Sequence, residues 1–165
     1  MIVMIEASPS FRIKSADHTG ITVSSLDEAL SFWVGAMGFE HMYTWDFEES
    51  SFFEELVGVK PAAARVAMVR VPGHLIELLE YRAPKDRQVM KPRSCDVGSV
   101  HVAFQVENVD ALLARIGAVG WGALSKVQRI ESGERAGLRL VYVRGPDGVT
   151  LEFLEQSRNL LAAMS

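Results

Sequence analysis

The sequence has one cysteine, Cys95, in 165 residues. A single cysteine excludes an internal disulfide and a zinc site built from several thiolates. Basic residues are also in the minority, since 17 Lys and Arg stand against 21 Asp and Glu, for a net charge of −4. Proteins that bind nucleic acid usually carry clustered positive charge, so we expect no nucleic-acid partner. No apolar run approaches the roughly 20 residues that cross a bilayer, so we expect no membrane partner and a cytoplasmic protein.

The sequence does contain an internal repeat. The stretches DHTGITVSSLDEAL (residues 17–30) and VHVAFQVENVDALL (residues 100–113) align on His18 and His101, and their apolar positions then coincide. A repeat of this kind is typical of a chain built from two copies of one structural unit.

The later parts of the two copies also agree. VRVPGHLIELLEY (69–81) and VRGPDGVTLEFLEQ (143–156) each place a glycine four residues before a glutamate, Glu77 or Glu152. Two matches in the same order predict a duplicated module. The predicted division is an N-terminal extension (1–13), a first module (14–82), a linker (83–96), a second module (97–156) and a C-terminal tail (157–165).

Within each module the hydrophobic periodicity changes in a fixed order. HTGITV and HVAFQV alternate between apolar and polar residues, which predicts strands. The apolar spacing that follows Ser25 and Asn108 predicts capped amphipathic helices. Strand-like runs then follow at 39–46, 64–71 and 74–81, and at 123–130, 138–144 and 149–155, with further helices predicted at 48–57 and 157–164. The sequence therefore predicts an α+β fold with two βαβββ modules in tandem.

Four polar side chains recur at matched places in strongly patterned strands. Strand alternation places His18 and His101 on the face of small or polar residues. Glu77 and Glu152 lie in apolar strands, where an unpaired carboxylate is costly. Two imidazoles and two carboxylates suit one divalent ion such as Zn, Ni, Co, Mn or Fe(II). The sequence therefore predicts a metal site, and the alternative is that these are hydrogen-bonded strand histidines and solvent-exposed glutamates.

The sequence contains two other glutamates and two other histidines whose roles have to be considered. Glu80 and Glu155 also recur, but on the opposite strand face from the predicted ligands, where we expect them to be solvated. His74 begins a strand beside a turn and His41 follows the first helix, so we expect both to be surface or structural residues.

The motifs DHTGITVSSLDEALSFWVGAMGFE, IELLEY, VHVAFQVENVDALLARI and VRGPDGVTLEFLEQ resemble the vicinal oxygen chelate superfamily. This superfamily includes glyoxalase I, methylmalonyl-CoA epimerase, extradiol dioxygenases, and bleomycin and fosfomycin resistance proteins. The resemblance covers roughly residues 14–156 and implies paired modules forming a cupped mixed sheet around a metal. It places the ligands at His18, Glu77, His101 and Glu152, a complete set similar to that of glyoxalase I and the epimerases. Thr22 and Tyr81 stand where glutathione-using bacterial glyoxalases have arginine and asparagine, which does not favour glutathione.

The resemblance and the ligand set favour a divalent-metal-dependent isomerase or lyase that transfers a proton α to a carbonyl of a small oxygen-chelating substrate. We expect Glu152 to act as the base, with Glu77 as its mirror partner and candidate acid. His18 and His101 are expected to anchor the metal. We also expect a homodimer, and the sequence leaves open whether the site forms in one chain or across two.

Two other functions are compatible with the same fold. An extradiol Fe(II) dioxygenase needs two histidines and one glutamate, and Glu77 as a fourth ligand would crowd its oxygen site. A metal-free drug-binding resistance protein would use an aromatic pocket instead. The candidate aromatics are Trp33, Trp45, Phe47, Trp121 and Tyr142, although the helical spacing of Trp33 predicts a core position.

Overall fold

The computed structural model describes residues 11–156, so the predicted helix at 157–164 lies outside the described residues. The first module contains the helices α1 and α2, a π-helical segment that continues α1, and four strands. Their bounds are β1 Thr19–Thr22, α1 Leu26–Leu30, the π-helical segment Ser31–Ala36, β2 Glu40–Phe47, α2 Ser51–Val57, β3 Ala63–Val71 and β4 His74–Ala83. The second module consists of β5 Val102–Gln105, α3 Val109–Gly117, β6 Gly122–Ala123, β7 Gln128–Arg129, β8 Arg139–Arg144 and β9 Thr150–Glu155.

Each module forms its own sheet with the same topology. The first sheet has the order β1-β4-β3-β2, and the second has the order β5-β9-β8-β6 with β7 also paired to β8. In each sheet the first strand runs parallel to the last, and the other pairs are antiparallel. The predicted α+β fold with tandem βαβββ modules is therefore confirmed.

The second strand of the second module differs from the sequence prediction. The continuous run predicted at 123–130 is divided into β6 and β7. Between them the side chains of Ser125 and Gln128 both donate hydrogen bonds to the backbone carbonyl of Lys126. Such local bonds compete with the strand ladder, which explains the interruption.

Glu80 and Glu155 are not simply solvated, so that prediction is wrong. The Glu80 carboxylate accepts a hydrogen bond from the backbone N–H of Leu26 at 2.8 Å, and Glu155 accepts one from Asn108 at 2.6 Å. The last strand of each module ends beside the first turn of that module's helix, where backbone N–H groups lack partners inside the helix. The recurrence of these glutamates therefore reflects helix capping rather than a role in the predicted metal site.

The helices of both modules share one hydrophobic core. Phe32 stacks on Trp121 with ring centroids 3.7 Å apart, and Trp33 is 1% exposed. Arg115 in α3 donates hydrogen bonds to the carbonyls of Gly35 and Ala36 in the first module. The predicted core position of Trp33 agrees with this packing. Within residues 11–156, no helix is long and apolar enough to span a membrane.

The inner faces of the two sheets pack against these helices. Ile76 and Leu78 of β4 belong to the shared core, and so do Leu151 and Phe153 of β9. Strand alternation turns the residues between them to the outer face of each sheet. The outer faces therefore point away from the common helical core.

Candidate metal centre

The first half of the candidate site lies where β1 begins beside β4. Gly20 of β1 is in register with Glu77, and His18 lies two residues earlier on the same side. His18 Nε2 is 3.3 Å from Glu77 Oε2. The side chains are 35% and 19% exposed. Two predicted ligands, 59 positions apart in the sequence, are thus neighbours on the outer face of the first sheet.

The second half repeats this arrangement. Ala103 of β5 is in register with Glu152 of β9, and His101 lies two residues before Ala103. His101 Nε2 is 3.3 Å from Glu152 Oε2, and the side chains are 41% and 13% exposed. Parallel pairing of the first and last strands of each module therefore generates the same histidine–glutamate pair twice.

The two histidines differ in their other contacts. His18 Nδ1 lies 2.7 Å from the Asp17 carboxylate. This hydrogen bond is the main cause that raises the pKa of His18, and the charge of Glu77 adds to it. A proton on Nδ1 that points to Asp17 leaves the Nε2 lone pair directed toward Glu77, which is the arrangement found in many metal-binding histidines.

Tyr142 lies beside the second half of the site. It is directly across from Glu152 in the β8–β9 ladder, and its hydroxyl is 3.5 Å from His101 Nε2. In the first sheet the residue across from Glu77 is Met68, which has no such group. The sequence indicated Tyr142 only as a candidate pocket aromatic. The pairing register of the two strands joined by the GPDG turn would have placed Tyr142 opposite Glu152.

The chemistry of each pair fits a divalent ion. Imidazole nitrogen and carboxylate oxygen bind such ions at about 2.0–2.2 Å, so two ligands of one tetrahedral ion are about 3.3–3.6 Å apart. The observed separations of 3.3 Å fall in this range. Each pair offers two donors, fewer than the four that a tetrahedral site requires.

The two pairs do not meet within one chain. Among residues 11–156, no three His, Cys, Asp or Glu side chains come close enough together to hold a metal ion. The topology accounts for this, because Glu77 and Glu152 lie on sheet faces that point away from the shared helical core. The chain therefore presents two separate half-sites, each with one imidazole and one carboxylate.

The remaining histidines make structural contacts. His74 Nε2 lies 2.9 Å from the Thr19 hydroxyl, and His41 Nε2 lies 2.8 Å from that of Thr44. Tyr81 follows Glu77 on the same strand face, and burial, together with the nearby Glu77 charge, raises the pKa of its hydroxyl. The structural role expected for the two histidines agrees with these contacts.

Comparison with known proteins supports the fold and its class. A sequence profile of the Glyoxalase/Bleomycin resistance protein/Dioxygenase superfamily matches residues 15–153. A 2-epi-5-epi-valiolone epimerase from an Actinomyces species is 36% identical over 141 residues, which cover 83% of this chain and 76% of that relative.

Solved structures have the same fold. A glyoxalase family protein from Bacillus cereus gives a TM-score of 0.76 at 24% identity, over 90% of this chain and 98% of the other. A variant of the fosfomycin resistance protein FosX from Listeria monocytogenes, in complex with Mn(II) and 1S,2S-dihydroxypropylphosphonic acid, gives a TM-score of 0.56 at 18% identity, over 90% and 97% of the two chains. The chain therefore belongs to the Glyoxalase/Bleomycin resistance protein/Dioxygenase superfamily.

Proposed function

We propose that this protein is a divalent-metal-dependent epimerase that transfers a proton at the carbon next to the carbonyl of a small hydroxy ketone. The observation that carries the proposal is the histidine–glutamate pair that occurs twice with the same 3.3 Å separation. The relative at 36% identity, named a 2-epi-5-epi-valiolone epimerase, supports an isomerase over a lyase or a dioxygenase.

We propose that His18, Glu77, His101 and Glu152 together hold the ion. When bound there, a divalent ion would supply Lewis acidity toward the oxygens of the substrate. The short distance within each pair supports this assignment, and so does the Asp17 contact that orients His18. A bound ion would also compensate the desolvation of the two carboxylates, which are 19% and 13% exposed.

We propose that the four-ligand site forms between two copies of the chain. Each copy exposes one half-site on the outer face of each sheet, and the two half-sites do not come together within residues 11–156 of one chain. A two-fold dimer would place the His18–Glu77 pair of one copy against the His101–Glu152 pair of the other, and the symmetry would generate two equivalent sites. The exposed side of β1 and β5, which includes Gly20 and Ala103, supports such a contact.

The side chains support a proton transfer between two carboxylates. Epimerisation removes a proton from one face of a carbon and returns one to the opposite face. We propose Glu152 as the base that removes the proton and Glu77, from the facing sheet, as the acid that returns it. We propose that the hydroxyl of Tyr142, which lies across from Glu152, donates a hydrogen bond to a substrate oxygen. Such a hydrogen bond would favour the form of the substrate that carries negative charge on that oxygen.

The test is turnover of 2-epi-5-epi-valiolone in deuterated water by metal-loaded protein. We expect epimerisation with one deuterium incorporated per inverted carbon, and we expect Glu152→Gln to lower kcat by about 10²- to 10⁴-fold while the fold is retained. Glu107→Gln is the matched control, because Glu107 is exposed beside the start of α3, away from both pairs. Full turnover by Glu152→Gln would show that the base is misassigned. Absence of deuterium incorporation in the wild-type protein would reject the epimerase.

A further inference from the structure

The sheet face that carries Glu77 also carries a row of aromatic side chains. Tyr43, Trp45 and Phe47 occupy alternate positions on β2, the outer strand of the first sheet. Adjacent rings are close, with centroids 5.1 Å apart for Tyr43 and Trp45 and 6.0 Å apart for Trp45 and Phe47. Tyr43 is in register with Met68, which is in register with Glu77. The first half-site and the aromatic row therefore share one continuous surface.

One end of this row is covered and the other is open. Phe53 of α2 stacks on Phe47 with centroids 4.6 Å apart and lies 5.9 Å from the ring of Tyr81. That end forms a small core of its own, in which Phe53 is 2% exposed. Tyr43 is 49% exposed, and Trp45 is only partly buried. The open part of the row, which we call the aromatic platform, consists of Tyr43, which is level with Glu77 in the sheet, and Trp45, which is level with Leu79.

The position of the platform suits a ring held at the metal site. Two strand spacings separate Tyr43 from Glu77, so their backbones are about 10 Å apart. A six-membered ring whose oxygens reach the half-site would pass above Met68, which is already buried, and lie against the platform. The second module offers no such row, because the two short strands at the equivalent position, Gly122–Ala123 and Gln128–Arg129, contain no aromatic residue. The two sides of the proposed site therefore differ in shape, with two exposed aromatic side chains in a row near Glu77 and the single Tyr142 across from Glu152.

The charges around the platform favour an uncharged ligand. Arg70, which shares this face, pairs with Glu40 at 3.0 Å. This cation is thus already engaged by a carboxylate, and a negatively charged substituent over the platform would compete with Glu40 for it. An aromatic face instead favours the apolar face of a ring.

From this geometry we propose that Tyr43 and Trp45 form a stacking surface that selects a neutral, ring-shaped hydroxy ketone over an open-chain one. The inference rests on the proposed function for the metal site and extends it to the class of substrate. Trp45 and Tyr43 would contact the carbon ring, while the histidine–glutamate pairs face its oxygens. Discrimination would arise from the area that a ring buries on the platform, which a short open chain cannot match.

Binding can be measured without turnover. The probes are 2-hydroxycyclohexanone as the ring, 3-hydroxybutan-2-one as the open chain and 3-hydroxy-4-oxocyclohexane-1-carboxylate as the charged ring. Trp33 and Trp121 are 1% and 8% exposed, so a change in tryptophan fluorescence on addition of a probe reports mainly on Trp45. Calorimetric titration of the metal-loaded protein gives the affinities, and size-exclusion chromatography shows whether each variant keeps the assembly of the wild type.

We expect the ring probe to bind more tightly than the other two and to change the fluorescence. Trp45→Ala should weaken ring binding about five- to tenfold and leave open-chain binding within about twofold, whereas Trp45→Phe should retain ring binding within about threefold. The matched control is Phe52→Ala, which removes an aromatic side chain that is 67% exposed on α2. It should leave all affinities unchanged.

Three results would overturn the platform. The first is a Trp45→Ala variant that binds the ring probe as tightly as the wild type does. The second is a Trp45→Ala variant that loses the same affinity for the ring probe and for the open-chain probe. The third is a wild-type protein that binds the charged ring more tightly than the neutral ring. A change of assembly confined to Trp45→Ala would also overturn it, because the residue would then serve contact between copies. If the binding differences hold but no α-proton exchange occurs, the proposed epimerase is wrong and the platform stands.

Discussion

Two inactive variants of this protein should restore each other's metal site. One variant loses the first half-site through His18→Ala and Glu77→Gln, and the other loses the second through His101→Ala and Glu152→Gln. In a homodimer of either variant, each shared site keeps only two of its four ligands. In a mixed dimer, one site receives both intact halves and the other receives both damaged halves.

The size of the recovery follows from this geometry. Random exchange between equal amounts of two variants gives half mixed dimers, and each has one complete site of two, so about a quarter of the wild-type sites return. Mixed dimers isolated through two different affinity tags should reach about half of the wild-type metal content and activity. A site completed within one chain would give no recovery, because each chain lacks two of its own ligands.

The assay is elemental analysis together with deuterium exchange after the two variants are unfolded and refolded together. Each variant refolded alone is the control and should hold little metal. Recovery of neither metal nor exchange, in samples where two-tag purification proves that mixed dimers are present, would refute a site shared between copies.

Two further changes test the contacts around the half-sites. Glu155→Gln weakens the hydrogen bonds to the first backbone N–H groups of α3 and the ion pair with Arg139. We expect this variant to lower the free energy of unfolding in urea by ~1–2 kcal/mol. An unchanged denaturation midpoint would contradict the capping role. Asp17→Asn removes the main cause that raises the pKa of His18. In the metal-free protein, the stability gained from protonated His18 is complete below its usual pKa of 6.5 and is lost as the pH rises through the raised folded-state value. Removal of the Asp17 carboxylate should therefore lower the pKa of His18 in the metal-free protein, as followed by NMR titration of the histidine ring, and an unchanged titration curve would refute the contribution of Asp17.

Much of the fold was predictable because periodicity is a local property of the chain. The alternation around His18 and His101 indicated strands, and the structure has β1 and β5 there. The repeat also placed one histidine and one glutamate in each module. The contact of His18 with Glu77 follows from the parallel pairing of β1 with β4, which the structure shows.

Other features depend on neighbours that lie far away in the sequence. Glu80 and Glu155 looked like solvated charges, because strand alternation says which face a side chain takes but not what lies against that face. The start of each helix provides the partner, at a separation of 54 residues for Glu80. Tyr142 was likewise visible as an aromatic residue, but its place beside His101 follows from the pairing of β8 with β9.

The sequence by itself determined the duplication, the order of elements in each module and the residue types of the candidate ligands, because these depend on pattern and composition. Only the tertiary structure decided that the ligands form two pairs and not one cluster. The physical reason is the shared core: the helices of both modules bury their apolar sides against each other and against the inner faces of the sheets. That packing turns the two carboxylates outward on separate faces, a consequence of long-range contacts that no local pattern encodes.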